Sequence, residues 1–179
     1  MFDISVMRPV FSTAKGTLLG YTMSITHLPD VGGIGFGAAA SEIYHEGLRL
    51  PIVKLAESGV INEFLLDLIA VNVRTPESTI GDLRANIACN EVGGRQLVEF
   101  MNEYAIDDLS ALSNAIRNQS ELAMREKIKD IRNGTYDNSI LIEAIDEPIP
   151  LSCNVEVKDE KIEIDFDGTG GCVSRGINV

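Results

Sequence analysis

Basic residues are scarce in this sequence: fifteen Lys and Arg stand against twenty-seven Asp and Glu, a formal charge of −12. No Lys/Arg cluster offsets the imbalance, which argues against nucleic acid or an anionic membrane surface as a natural partner. Cysteine is scarcer still. Cys89, Cys153 and Cys172 are odd in number and lack Cys-x-x-Cys spacing. That pattern indicates neither a disulfide framework nor a thiolate zinc site, and is read as three free thiols in a reducing compartment. No apolar run approaches the roughly 20 residues a membrane-spanning helix needs, and the N-terminus has no basic segment followed by an apolar one. A soluble, cytoplasmic protein is the expectation. The chain also lacks Gly-x-x-x-x-Gly-Lys-Ser/Thr, so the glycines at 32, 33, 35 and 37 are not read as a phosphate cradle.

What is present is enough apolar material, 45% of 179 residues, for one sizeable core or most of one. The chain opens on a strand from Asp3 to Phe11, a connection through Ser12-Thr13-Ala14-Lys15-Gly16, and a second strand from Thr17 to Ile25, together a hairpin. Four glycines within residues 32–37 predict close backbone approach or unusual dihedrals. Leu48 to Pro51 reads as an extended connector.

Helical spacing starts at Asn62, an N-cap, with Phe64, Leu65, Leu68 and Ile69 on one face. A second helix starts at Thr75-Pro76, since proline fits the first helical position, where no amide donor is needed. Its stripe is Ile80, Leu83, Ile87, Leu97, Met101 and Tyr104, with a kink or break expected at Gly93-Gly94. A third runs from Asp107 as cap through Leu109, Leu112, Ile116, Ile128 and Ile131 and ends near Asn133-Gly134. The period then becomes two. Cys153, Val155 and Val157, followed by Ile162, Ile164 and Phe166, predict an antiparallel hairpin with one wet face. A hairpin near each end and a helical middle make the expected class α+β, part of a larger mixed domain, because strict βαβ alternation is missing.

Five stretches, in order, carry a resemblance. They are Asp3-Ile4-Ser5-Val6-Met7-Arg8-Pro9-Val10-Phe11; His27-Leu28-Pro29-Asp30-Val31-Gly32-Gly33; Glu46-Gly47-Leu48-Arg49-Leu50-Pro51-Ile52-Val53-Lys54-Leu55; Asn72-Val73-Arg74-Thr75-Pro76 with Gly81-Asp82-Leu83-Arg84-Ala85-Asn86-Ile87-Ala88-Cys89-Asn90; and Ile164-Asp165-Phe166-Asp167-Gly168-Thr169-Gly170. In them the chain resembles the hydantoinase B/oxoprolinase family over nearly its whole length. The resemblance implies that residues 1–179 are an internal piece of that domain, truncated at both ends, because family members are longer. Just before the Asp3 position they carry Gly-Gly-Thr-His-x-x-Asp, of which only the final Asp has a counterpart here.

The resemblance further implies the B-type subunit of an ATP-dependent cyclic-amide hydrolase of the hydantoin/5-oxoproline class, with ATP handled by a hydantoinase A-type partner. The piece alone is expected to be inactive. Metal-dependent relatives resemble one another in a ligand set of two histidines and an aspartate, of which Asp3 and His27 are the counterparts here. These two lie on opposite limbs of the hairpin, away from its turn, and imidazole plus carboxylate suits Mn, Zn or Fe. Alone, His27 reads as a loop histidine and Asp3 as a capping residue; only the resemblance raises them. Asp30, in a His-x-x-Asp pair with His27, and His45 rank behind them, Asp30 because an Asp before two glycines is ordinarily a turn residue. Asp82, Arg84, Asn86 and Asn90 recur at helical spacing as candidates for lining a substrate site, against the ordinary reading of a solvated face. Two other readings stand beside the hydrolase: an acetone/acetophenone carboxylase-type subunit acting on a ketone, and a non-catalytic scaffold.

Overall fold

The structure is a computed structural model that describes residues 3–12, 16–35, 37–144 and 147–176. The described residues hold three α-helices and seven strands, and the class is α+β as expected. The chain divides into two compact units, residues 1–107 with 174–179, and residues 108–173.

In the first unit β1 (Asp3–Phe11) and β2 (Leu18–His27) form an antiparallel hairpin whose register pairs Asp3 with His27, Ile4 with Thr26 and Arg8 with Thr22. Of its expected connection, residues 13–15 lie outside the described residues. A much smaller hairpin, β3 (Ala56–Glu57) and β4 (Val60–Ile61), turns through Ser58-Gly59, both at positive φ. Helix α1 (Glu63–Ala70) is capped by Asn62, whose side chain accepts from Leu65 N at 3.1 Å. It buries Leu65, Leu66 and Ile69, whereas Phe64 and Leu68 are exposed, so the inward face lies to one side of the expected one. With Leu28, Val31 and Leu83 these three form the core cluster, and Ile4, Val73 and Ile80 pack against it.

Helix α2 (Pro76–Glu103) has proline in its first turn and runs 28 residues without interruption, through the Gly93-Gly94 step where a break was expected. The glycines serve packing instead. A Cβ on Gly94 would stand 3.2 Å from Val10 Cγ2 and one on Gly93 3.3 Å from Thr22 Cγ2, so their absence lets the helix lie close on the hairpin. Closeness of that kind offsets the roughly 1 kcal/mol that mid-helix glycine costs.

In the second unit α3 (Leu109–Lys129) is capped by Asp108, not Asp107: the Asp108 carboxylate accepts from Ser110 N at 2.9 Å. Its expected apolar stripe is not a core, since none of its residues is fully buried and Ile116 is exposed. The sheet is three-stranded, β5 (Gly134–Ile142), β6 (Ile149–Lys158) and β7 (Lys161–Asp165), all antiparallel with β6 central. The β6–β7 hairpin was expected; β5 was not, because Thr135 to Ser139 shows little apolar alternation. After β7, Thr169 Oγ1 both accepts from Ser152 N and donates to Ser152 O, each at 3.0 Å, extending the hydrogen bonding beside β6 with a side chain.

Candidate metal site

Asp3 opens β1 and His27 closes β2, and as cross-strand partners their side chains leave the same face of the hairpin. His27 Nδ1 is in direct contact with Asp3 Oδ1. The imidazole is about three-quarters exposed and the carboxylate about one-third, so the pair can take a ligand from outside. A carboxylate and an imidazole side by side are of the donor types a divalent ion takes. Among the described residues no group of three or more His, Cys, Asp or Glu is gathered closely enough to hold a metal. The described residues thus bring together two side chains of donor type at this point.

The remaining candidates are placed elsewhere. Asp30 is buried and engaged in three hydrogen bonds: its carboxylate accepts from the Arg74 main-chain N–H, from Arg74 Nη1 at 2.7 Å and from Gly32 N at 3.1 Å. The Arg74 main-chain N–H holds the Asp30 carboxyl below the usual carboxylate range, with Gly32 N–H and the Arg74 guanidinium in support, against the opposing pull of burial. Arg74 also donates to Gly33 O, and Thr79 Oγ1 to Asp30 O at 3.2 Å, so this acid ties the glycine turn to the start of α2. Gly33 has φ +65°, and a Cβ there would lie 2.4 Å from His45 O and 2.6 Å from Gly47 N. Only glycine lets these backbones approach so closely. The His45 ring faces its own turn, Nδ1 toward Ser41 N and Nε2 3.3 Å from Glu42 Oε1.

The four polar residues of α2 do not share one face. Arg84 is exposed and donates to Glu63 Oε2 of α1 at 2.8 Å, and Asp82 is half-buried. Asn86 and Asn90 are buried and turned to the hairpin. Asn90 Nδ2 donates to Val6 O and Ser24 Oγ, each at 2.9 Å, while Thr22 Oγ1 donates to Asn90 O at 2.9 Å. Thr26 Oγ1 donates to Asn86 Oδ1 at 2.7 Å, and Asn86 Nδ2 is buried with no partner among the described residues. An orphaned donor of that kind costs about 1–3 kcal/mol. The Asp30–Arg74 link had a signal in the sequence, since both residues stand in motifs that carry the resemblance, but nothing in their 44-residue separation announced the contact.

The sequence profile of the hydantoinase B/oxoprolinase family matches residues 1–179. The chain belongs to this family. The putative B-type subunit of a D-/L-hydantoinase from Pseudomonas sp. (strain NS671) is 30% identical over 177 residues, which are 94% of this chain and 30% of that protein. The crystal structure of the ATP-dependent caprolactamase from Pseudomonas jessenii matches with a TM-score of 0.79 at 30% identity, over 91% of this chain and 29% of that one. A nucleotide-free structure of acetone carboxylase matches with a TM-score of 0.84 over 99% of this chain and 26% of that one; at 19% identity the likeness is one of fold. The chain therefore spans less than a third of the length of each of these proteins. No helix among the described residues is long and apolar enough to cross a membrane.

Proposed function

We propose that this chain is part of the B-type subunit of an ATP-dependent cyclic-amide hydrolase of the hydantoin/5-oxoproline class, and that Asp3 and His27 hold a divalent metal ion, Mn, Zn or Fe, for that reaction. The observation that carries the proposal is the register of the first hairpin, which sets one carboxylate and one imidazole against each other on an accessible face. The names of the relatives, a putative hydantoinase and an ATP-dependent caprolactamase, support the substrate class and the use of ATP.

A ring amide is a poor electrophile. A metal ion, when bound, would polarise its oxygen or lower the pKa of a water. Asp3 and His27 would hold that ion, and the family resemblance implies that ATP would be handled by a hydantoinase A-type partner. A cytoplasmic location goes with that ATP requirement.

The test is metal content and ATP-dependent ring opening of the complete protein with its partner. His27→Ala and Asp3→Ala should each lower both, and a variant with unchanged metal content and unchanged turnover would overturn the proposal.

A further inference from the structure

Among the described residues His27 and Asp3 form the end pair of the β1–β2 ladder. What steadies this end comes from α2 and the core. The residue before His27, Thr26, donates from its hydroxyl to Asn86 Oδ1 at 2.7 Å, and the residue after it, Leu28, is only 3% exposed. Across the ladder, Ile4 pairs with Thr26 and packs against the core cluster.

The polar contact has a cost that an apolar one would not. Asn86 is 6% exposed, and with its oxygen given to Thr26 its amide nitrogen finds no partner among the described residues. Valine at 26 and leucine at 86 would occupy similar space and orphan nothing, but they would also tolerate sliding. A one-residue slip of β2 would carry Thr26 to the outer face and His27 to the inner one. Only a hydroxyl at 26 meets Asn86, so the bond selects the register that leaves Asp3 and His27 side by side.

We infer that Asn86, acting through Thr26, is the positioning residue of the Asp3–His27 metal pair. This rests on the reading of that pair as metal ligands. Thr22 supplies an internal control, because its hydroxyl makes a comparable contact, 2.9 Å to Asn90 O, four residues further from the pair.

The experiment titrates the complete protein with Zn2+ by calorimetry and follows folding by circular dichroism. Thr26→Val should keep the helical signal and weaken Zn2+ binding at least fivefold. Thr26→Ser should stay within twofold of the parent, and so should Thr22→Val. Zn2+ affinity in Thr26→Val equal to that in Thr22→Val would overturn the inference, as would equal weakening in Thr26→Ser, which also decides the matter if the valine variant does not fold. Parental affinity in both His27→Ala and Asp3→Ala would instead mean that the metal pair itself was misread, and the inference would fall with it.

Discussion

Asp30 and Arg74 are joined twice, through the arginine's main-chain N–H and through its guanidinium, and the pair fastens the glycine turn to the start of α2. The folded state therefore lowers the Asp30 carboxyl below its ordinary value of 3.8. A depressed acid contributes stability that is complete above the unfolded value and is lost as pH falls through the folded one. Urea melts between pH 7 and pH 2 should show stability declining below about pH 4. Asp30→Asn should lower stability at neutral pH by roughly 1–2 kcal/mol and flatten part of that decline. An unchanged acid limb in Asp30→Asn would assign the decline to other carboxylates.

Gly33→Ala is expected to be among the most damaging single methyl additions in the first unit. It combines a left-handed φ of +65° with a Cβ 2.4 Å from the carbonyl of His45. The strain and overlap together should cost about 2 kcal/mol or more, read as a lower melting temperature. Gly35→Ala, at φ +95° but with nothing within 4 Å of the added atom, should lose less.

Gly94→Val tests the close approach of α2 to the hairpin. Its Cβ would be 3.2 Å from Val10 Cγ2 and 3.5 Å from Arg8 Nη1, and the further methyls have nowhere to go without moving the helix. A loss of about 1–3 kcal/mol is expected despite better helix propensity. Val10→Ala in the same chain should recover part of it, since the two changes share one space.

Asp3→Asn and His27→Ala should each weaken divalent-ion binding by the complete protein, whereas His45→Ala, with its ring turned to Ser41 and Glu42, should not. Calorimetric titration with Zn2+ checks all three. A loss in His45→Ala equal to that in His27→Ala would bring His45 into the site.

Much of the local structure can be read from the residues themselves. Asp3 to Phe11 is a strand as predicted, Asn62 caps α1 and Pro76 begins α2, because caps and proline act within a few bonds of where they stand. Even there the sequence favours a neighbour at times: Asp107 and Asp108 offer the same side chain, and only the dihedrals of the chain select Asp108. The pairing of Asp3 with His27 follows once the hairpin register is known. The partners of Asp30 and Asn86 lie 44 and 60 residues away along the chain, and local pattern does not encode contacts of that length. The same limit shows in β2. Alternation alone would bury Tyr21, Met23 and Ile25 and leave Thr22, Ser24 and Thr26 in water. The folded chain does the reverse, with Tyr21, Met23 and Ile25 exposed, because α2 presents Asn86, Asn90 and two glycines to this sheet, and hydroxyls that find hydrogen-bond partners can be buried there while larger apolar side chains would hold the helix away.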